Sequence, residues 1–370
     1  ILIVLSTVGI AIFSIPIGRK FGMSTPMAFA LGLGSIAGGF PASYTLSVEA
    51  AKVCAENEEE YQVLEQHMLP KTLVAGFVNI RFCIHCRRCY GNVLQIRGGS
   101  IMDLGLKGKS VVVTGGSKGI GFAAAEAFLK EGAKVAICSR HEEELKEAAE
   151  KLSQYGEVYY EAFDVSKAES NYAFAEHVND RFGSVDVWVN NVGATGFKKG
   201  DEYDDEEIDF MTGVCFKSVI YGCQAAFRYM KKQHSGAIVN VSSLAARCSS
   251  AGRSTLYGPL KSAINNLTNT FAGEYCPYNV RVTCIMPGFT VTPLVRAHIS
   301  QEELDRNANA TLLRRMAEPE EIAKPIVFLA SDAASYMTAT TIEVSGGRSM
   351  TLNPTYAYDK LAAEKAEAAK

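Results

Sequence analysis

A tyrosine and a lysine four residues apart, Tyr257 and Lys261, form the pair with the clearest chemistry in this sequence. On a helix, this spacing places both side chains on one face, one turn apart. A phenol has an ordinary pKa of about 10 and is a poor base alone, but a neighbouring ammonium favours its phenolate form. Such a pair could take a proton from an alcohol and return it in the reverse reaction.

A glycine-rich segment, GGSKGIG, occupies residues 115–121 between an apolar run at 110–114 and an amphipathic run that begins at Ile120. Glycine has no Cβ, so it permits a tight turn and lets a ligand approach the backbone. The N-terminus of the following helix would offer free N–H groups and the positive end of its dipole to a phosphate. This order of strand, turn and helix predicts a binding site for the pyrophosphate of a dinucleotide.

Charged residues near this turn indicate which dinucleotide it would bind. The next apolar run ends in Ser139 and Arg140, where an acidic residue would hydrogen-bond the ribose diol and repel a 2′-phosphate. Arg140 instead offers a guanidinium to that phosphate, and Lys118 in the turn adds a second positive charge. The pattern favours NADP(H) over NAD(H), and two solvated surface charges are the alternative interpretation.

From residue 102 onwards, apolar strands alternate with amphipathic helices, which is typical of a mostly parallel sheet covered on both faces. The predicted strands are 110–114, 134–138, 158–163, 185–190, 237–241, 280–285 and 341–344. The predicted helices are 120–131, 142–152, 168–182, 206–232, 260–275 and 319–331, with a solvated helical tail at 362–370. The predicted fold class is therefore α/β, with a single doubly wound parallel sheet of the Rossmann type.

Several motifs follow one another along residues 105–350. They are TGGSKGIG at 114–121, FDVS at 163–166, NNVG at 190–193, VNVSS at 239–243, YGPLK at 257–261 and PGFTVT at 287–292. In this order and spacing, the sequence resembles the short-chain dehydrogenase/reductase family. The resemblance implies an oxidoreductase that interconverts an alcohol and a ketone with a nicotinamide cofactor, here NADP(H).

The resemblance also implies roles for individual residues. Ser243 would hydrogen-bond the substrate oxygen, Tyr257 would exchange the proton, and Lys261 would also hydrogen-bond the nicotinamide ribose. The stretch from Ser243 to Tyr257 is one residue longer than usual, so Ser242 is the alternative to Ser243. The residues implied in cofactor binding are Gly115, Ser117, Lys118, Gly119, Ile120, Gly121, Ser139, Arg140, Asp164, Val165, Asn190, Asn191, Gly193, Tyr257, Lys261, Pro287, Gly288, Thr290 and Thr292.

Within that set, the resemblance implies that Asp164 holds the adenine amino group and that Asn190 and Gly193 form the pocket wall beside adenosine. Pro287, Gly288 and Thr292 would lie along the nicotinamide.

Two positions depart from the family's pattern. Cys215 stands where the family often has an asparagine that holds a water in a proton relay to the lysine. Because a thiol cannot replace both the donor and the acceptor of an amide, we expect an altered relay, with activity retained through Tyr257 and Lys261. Pro259 lies between these two residues and is tolerable only in the first turn of a helix.

The resemblance implies a small-molecule substrate with a ketone or alcohol group. The segments predicted to line its pocket are 194–199, 246–256 and a lid at 294–316. Arg296, His298 and Arg306 offer polar contacts on the lid. The cofactor motif resembles those of tropinone reductases and 3-oxoacyl-carrier-protein reductases, whereas residues 342–360 are similar to bacterial hydroxysteroid dehydrogenases and favour a hydroxysteroid or bile acid.

A 3-oxoacyl, sugar or polyol substrate is the alternative within this family, and a catalytically silent cofactor-binding protein is a further one. The resemblance implies a homotetramer.

Composition narrows the functional class. The chain has 370 residues, of which 48% are hydrophobic and 21% charged, the balance of a globular protein with a sizeable core. A net charge of −3 gives no electrostatic basis for nucleic-acid binding. Most of the ten cysteines lie singly in apolar segments, which is typical of reduced thiols in a cytoplasmic protein.

The first hundred residues differ from the rest. Residues 1–17 and 21–48 are uncharged, and Arg19 and Lys20 lie in the short connection between them. This pattern predicts an apolar helical segment over residues 1–80 that resembles the C-terminal end of a polytopic membrane permease. Two buried helices of a soluble domain are the alternative, as is a transporter fragment fused to the reductase.

Residues 81–101 show no periodicity and form an irregular join. The pattern CIHCRRC at 83–89 resembles part of an iron–sulfur binding run, but the fourth cysteine is missing, so no metal site is predicted. We hypothesise that residues 1–101 are not native to the protein and that the reductase begins at Met102. Membrane association is expected only through residues 1–80, if these are native. A gene with no start codon at Met102 and a continuous upstream frame would contradict the hypothesis.

Overall fold

The computed structural model describes residues 103–194, 200–248, 254–348, 350 and 353–368. The chain divides into two units, 1–101 and 102–370, and every described residue belongs to the second. The predictions for residues 1–101, from the apolar segment to the CIHCRRC pattern, lie outside the described residues. Within the described ranges, no helix is both long enough and apolar enough to cross a lipid bilayer.

Seven parallel strands of the described unit form one sheet in the order β3-β2-β1-β4-β5-β6-β7. The strands are β1 (Ser110–Thr114), β2 (Lys134–Ser139), β3 (Val158–Ala162), β4 (Val187–Asn190), β5 (Gly236–Val241), β6 (Val280–Pro287) and β7 (Thr340–Val344). The chain builds outwards from β1 to β3 and then returns to add β4 to β7 on the other side. The predicted doubly wound parallel sheet is confirmed, and strand order reverses between β1 and β4.

The helices connect these strands. They are α1 (Gly119–Lys130), α2 (Glu142–Leu152), α3 (Ala168–Phe182), α4 (Asp205–Thr212), α5 (Ser218–Gln233), α6 (Tyr257–Tyr275), α7 (Pro293–His298), α8 (Gln301–Asn309), α9 (Pro319–Ala330) and α10 (Tyr356–Ala368). The predicted bounds of β1, α2 and α3 agree with the structure residue for residue.

Two apolar layers cover the sheet, one on each face. Successive side chains of a strand point to opposite faces, so Val111 and Val113 of β1 join one layer and Val112 joins the other. The first layer includes Phe128 of α1, and the second includes Trp188 of β4. All five side chains are fully buried, which explains why the strands read as continuous apolar runs.

The helix predicted at 206–232 is two helices joined by a wider turn. α4 ends at Thr212, α5 begins at Ser218, and Gly213–Lys217 between them form a π-helical turn. Such turns are rare inside helices and frequent at functional sites. Cys215 is the central residue of this π turn and is buried.

Helix α6 begins at Tyr257, three residues before the predicted start. Pro259 therefore lies in the first turn, where backbone N–H groups lack an intrahelical partner in any case. The expectation that this proline is tolerable only there agrees with the structure. Tyr257 and Lys261 thus occupy the first two turns of one helix.

The carboxyl ends of three neighbouring strands meet at one edge of the sheet. β1 pairs with β4, and β4 pairs with β5, all in parallel. The glycine-rich turn follows β1, the segment Asn191–Ala194 follows β4, and Ser243 follows β5. The fold therefore gathers the predicted cofactor and catalytic motifs at the point where the strand order reverses, which is where ligands bind in such sheets.

Candidate active site

The glycine-rich turn is packed so closely against its neighbours that a side chain at Gly121 would clash with them. A Cβ added to Gly121 would lie 2.2 Å from the carbonyl oxygen of Gly115 and 2.6 Å from Nδ2 of Asn191. Gly115 has a φ of +66°, in the left-handed region that favours glycine. The N–H groups of Gly115 and Gly116 donate to the Cys138 carbonyl at 2.8 and 3.2 Å, which fixes the turn against β2.

Helix α1 presents uncapped N–H groups at this turn. Its first residue is Gly119, and Lys118 at the N-cap position makes no capping hydrogen bond through its side chain. The first N–H groups of a helix lack intrahelical partners, and the positive end of the dipole attracts anions. The backbone from Ser117 to Ile120 therefore fits the pyrophosphate of a dinucleotide.

Asn191, which follows β4, is hydrogen-bonded to the glycine-rich turn. Its Nδ2 donates to the carbonyl oxygens of Thr114 and Gly115 at 3.0 and 3.3 Å. Its backbone N–H donates to Oγ1 of Thr114 at 3.0 Å. β4 and the glycine-rich turn are therefore held together as one rigid wall of the predicted cofactor site.

The side chain of Asn190 points into the core. It is 3% exposed, and its Oδ1 accepts a hydrogen bond from Trp188 Nε1 at 2.9 Å. Its Nδ2 donates to Oδ1 of Asn240 at 2.9 Å and to Sγ of Cys223 at 3.4 Å. Both ends of the amide are therefore used inside the protein, and the place of Asn190 in the pocket wall beside adenosine stays a prediction. Asn190 joins β4 to β5 and α5.

The two predicted phosphate-binding cations lie after neighbouring strands. Lys118 Nζ forms a surface ion pair with Glu144 of α2 at 2.8 Å. The Arg140 guanidinium lies 5.9 Å from the centre of the Phe210 ring. Lys118 follows β1 and Arg140 follows β2, and these strands are paired at Thr114 and Cys138. The ion pair between Lys118 and Glu144 was not predicted, because Glu144 lies on α2 and Lys118 in the glycine-rich turn.

The residues predicted to lie near the adenosine stand at the carboxyl ends of β2 and β3. Oδ1 of Asp164 accepts from the Ser166 N–H at 2.9 Å, and Val165 is buried. The Ser139 hydroxyl lies 3.3 Å from the His141 nitrogen, from which it accepts. A carboxylate has two oxygens and several acceptor positions, so Asp164 retains acceptor capacity for a ligand.

Lys261 is a buried ammonium at the centre of the site. It is 2% exposed, and its Nζ donates to the Val241 carbonyl at 2.8 Å. Nζ lies 5.7 Å from the centre of the Tyr257 ring, and a Cβ added to Gly193 would lie 3.1 Å from it. An ammonium has three N–H donors, and among the described residues one carbonyl accepts from it. The remaining donors fit ribose hydroxyls or water.

The two candidate serines after β5 differ in what their hydroxyls do. Ser242 is 3% exposed and donates to the Lys261 carbonyl at 2.8 Å. Ser243 is half-buried, and its Oγ accepts from the Ala245 N–H at 3.2 Å. An accepting hydroxyl still carries its own O–H to donate. The geometry therefore favours Ser243 for contact with a substrate oxygen.

The segment from Pro287 to Thr292 lies against the glycine-rich turn. A Cβ added to Gly119 would lie 3.2 Å from the Thr292 methyl group. The Thr292 hydroxyl caps α7 by accepting from the Val295 N–H at 3.3 Å, and Thr290 Oγ1 donates to the Gly288 carbonyl at 3.3 Å. The first and last cofactor motifs of the sequence therefore meet in space.

Part of the predicted substrate pocket lies outside the described residues. Residues 195–199 and 249–253 are in this category, as are the side chains of Leu294 and His298.

The sequence matches known proteins over the unit that carries this site. A family model described as "Enoyl-(Acyl carrier protein) reductase" matches residues 115–349. A 3-oxoacyl-[acyl-carrier-protein] reductase of Chlamydia pneumoniae is 35% identical over 252 residues, which cover 66% of this chain and 99% of that protein. The chain belongs to the short-chain dehydrogenase/reductase family.

Two other relatives carry different activities in their names. A 3α-hydroxysteroid dehydrogenase of Mediterraneibacter gnavus is 36% identical over 255 residues, which cover 66% of this chain and 98% of that protein. The L-sorbose reductase of Gluconobacter frateurii, solved with NADPH and L-sorbose, is 32% identical, with a TM-score of 0.64 over 68% of this chain and 100% of that one. This short-chain dehydrogenase/reductase is an oxidoreductase of alcohol and ketone groups that uses a nicotinamide cofactor.

Cys215 of this reductase hydrogen-bonds the chain segment that follows β4. Its Sγ donates to the Ala194 carbonyl at 3.2 Å and accepts from the Ala194 N–H at 3.5 Å. The thiol thus serves as donor and acceptor toward this backbone partner, and the altered proton relay expected from Cys215 stays a prediction. The fully buried thiol fixes the chain beside Gly193, which in turn borders Lys261.

Replacing Gly121 with alanine should strongly weaken cofactor binding. The new Cβ cannot occupy a position 2.2 Å from the Gly115 carbonyl, so the turn must move away from its phosphate-binding form. We expect the Kd of the nicotinamide cofactor to rise by about 100-fold or more. Gly273→Ala is the matched control, because no atom lies within 4 Å of its added Cβ. Equal cofactor affinity in the two variants, measured by fluorescence titration, would contradict the assigned turn.

Replacing Cys215 with alanine should slow turnover, because Ala194 loses both contacts and Gly193 can move relative to Lys261. We expect kcat to fall about tenfold, since small misplacements near reacting groups are costly. Cys215→Ser, which keeps a donor and an acceptor, should restore most of the activity. The serine variant performing no better than the alanine variant would show that the hydrogen bonds do not matter.

Proposed function

We propose that this chain is an NADP(H)-dependent oxidoreductase that interconverts a secondary alcohol and a ketone, with a hydroxysteroid or bile acid as the preferred substrate. The observation that carries the proposal is the buried Lys261 ammonium beside Tyr257, next to a glycine-rich turn with uncapped N–H groups. Three parts of the chemistry, a proton donor, a fixed positive charge and a dinucleotide site, thus lie at one edge of the sheet.

The roles of the residues follow from their chemistry. The nicotinamide cofactor, when bound, supplies or accepts the hydride. Tyr257 donates its phenolic proton to the carbonyl oxygen during reduction and takes it back during oxidation. Lys261 stabilises the phenolate by its charge and uses its remaining N–H donors on ribose hydroxyls. Ser243 donates to the substrate oxygen and orients the carbonyl.

The preference for NADP(H) rests on the two cations near the turn. Lys118 and Arg140 are both exposed, so a 2′-phosphate can reach them without displacing the core. Lys118 would exchange its partner Glu144 for the phosphate, and such a surface ion pair is weak enough to be exchanged. The sorbose reductase that this chain resembles was solved with NADPH, which supports the same choice.

The preference for an apolar substrate rests on the surface around the lid. Leu312 and Leu313 of the lid and Met350 after β7 are large apolar side chains that are exposed. Large apolar side chains exposed on a lid fit contact with an apolar molecule. The relative from Mediterraneibacter gnavus, a 3α-hydroxysteroid dehydrogenase, supports a steroid. A 3-oxoacyl thioester and a sugar are the alternatives supported by the other two relatives.

The assembly and location are proposals of the same kind. We propose a homotetramer and a cytoplasmic reductase unit, with membrane association only through residues 1–80. Size-exclusion chromatography with light scattering, and fractionation of cells that express the full chain, test these two points.

Turnover by the full-length protein tests the proposed function. NADPH and NADH are each titrated by fluorescence, and NADPH oxidation is then followed with oxo-bile acids, a 3-oxoacyl thioester and L-sorbose. We expect tighter binding of NADPH than of NADH and the highest kcat/KM with an oxo-bile acid. Tyr257→Phe should lower kcat by about 100-fold or more, because it removes the hydroxyl group that exchanges the proton, while the Kd of NADPH stays within about twofold.

Each arm has its own contradicting result. Unchanged turnover in Tyr257→Phe would refute the catalytic assignment. Equal affinities for NADH and NADPH would refute the proposed preference for NADP(H). A higher kcat/KM with the thioester or with L-sorbose would refute the steroid preference while leaving the enzyme class intact.

A further inference from the structure

The chain that follows β7 touches the lid at several separate points. We call residues 293–316 the lid segment, and residues 345–348 with 353–368 the tail segment. We propose that the tail segment fixes the lid segment over the substrate site and that Tyr358 is a positioning residue for substrate binding. The part of this inference that concerns substrate rests on the proposed function, in which the lid segment lines the substrate pocket.

The lid segment starts at the cofactor site. Helix α7 is capped by Thr292, whose methyl group lies beside Gly119 of the glycine-rich turn. The amino end of the lid segment is therefore anchored where the nicotinamide cofactor would bind. The position of its carboxyl half depends on other contacts.

The first of these contacts is a close backbone approach after β7. The Leu313 N–H donates to the Gly346 carbonyl at 3.2 Å. A Cβ added to Gly347, whose φ is +76°, would lie 2.6 Å from Cδ1 of Leu312. Glycine at 347 thus lets Leu312 pack directly on the chain that leaves the sheet.

The second contact is Tyr358 of α10. Its hydroxyl donates to the Leu312 carbonyl at 2.5 Å. The Arg314 guanidinium lies 4.7 Å from the centre of the same ring, within the range of a cation–π interaction. One side chain of the tail segment therefore holds two residues of the lid segment.

Arg314 shows that this part of the lid segment is held in an unfavourable backbone conformation. Its φ is +56°, in the left-handed region that non-glycine residues rarely adopt. The Tyr358 ring and the Asn309 carbonyl, which accepts from Arg314 Nη1 at 2.7 Å, hold the side chain on either side. These contacts offset the backbone cost.

The third contact is Arg348. Its Nη1 donates to Oδ1 of Asn307 at 2.9 Å, and Asn307 on α8 is 2% exposed. The same guanidinium lies 5.6 Å from the centre of the Phe289 ring. Phe289 belongs to the segment that lies against the glycine-rich turn, so Arg348 links the lid helix to the cofactor side of the site.

The tail segment therefore holds the carboxyl half of the lid segment at Asn307, Leu312 and Arg314, while Thr292 anchors its amino end. A lid fixed at both ends presents a preformed wall to the substrate, which lowers the cost of ordering it on binding. Loss of the Tyr358 hydroxyl should loosen this wall without touching the catalytic residues.

Tyr358→Phe tests the proposal in the full-length protein, with Tyr356→Phe as the matched control on the same helix turn. Tyr356 is 68% exposed, so its variant removes the same hydroxyl from an open position. We expect Tyr358→Phe to raise KM for the ketone about fivefold, the effect of one neutral hydrogen bond, with kcat, Tm and the Kd of NADPH unchanged. Hydrogen exchange of the backbone amides over residues 311–316 should speed up by a similar factor.

Two results would overturn the proposal: KM and exchange equal to those of Tyr356→Phe, or a loss of Tm and NADPH affinity that accompanies the rise in KM. The exchange measurement needs no turnover. If wild-type protein reduces no ketone, the proposed function fails, while faster exchange in Tyr358→Phe still supports the contact between the tail and lid segments.

Discussion

A charged ammonium buried almost completely between two strand ends is the feature on which the site depends. Moving such a charge out of water costs several kcal/mol unless partners compensate. Lys261 is 2% exposed and has one described protein acceptor, the Val241 carbonyl at 2.8 Å. The fold tolerates this arrangement because the amine sits where β4 and β5 end and where a ligand can complete its hydrogen bonds. The ammonium is thus better satisfied with a ligand bound than without one.

The surrounding structure serves to keep that ammonium in place. Ser242 donates to the Lys261 carbonyl and ties α6 to β5. Gly193 leaves room for Nζ, and Cys215 holds the neighbouring Ala194 from the π turn. Below these, Asn190 and Asn240 join the strands through buried hydrogen bonds. Because buried polar groups are costly when unpaired, this network fixes the relative position of the strands that carry the site.

The sequence predicts most of the fold and the central residues of the site, because both depend on local patterns. The apolar run before the glycine-rich turn predicted both ends of β1 correctly. The i, i+4 spacing of Tyr257 and Lys261 predicted that both residues lie on one helix. The misses involve contacts between distant elements. Cys215 of the π turn bonds to Ala194, Lys118 pairs with Glu144, and the Asn190 side chain turns inward to Trp188. Periodicity in one segment carries no information on any of these.

We expect the charge of Lys261, and not only its bulk, to be required for proton transfer by Tyr257. Lys261→Met keeps the length of the side chain and removes the charge, so the fold should be retained, with a Tm equal to or above that of the wild type. The most direct measurement is kcat for ketone reduction at saturating NADPH in this variant. We expect a fall of about 100-fold or more, the usual contribution of acid–base catalysis. A kcat within about threefold of the wild type in a folded variant would show that the Lys261 charge is not required for proton transfer.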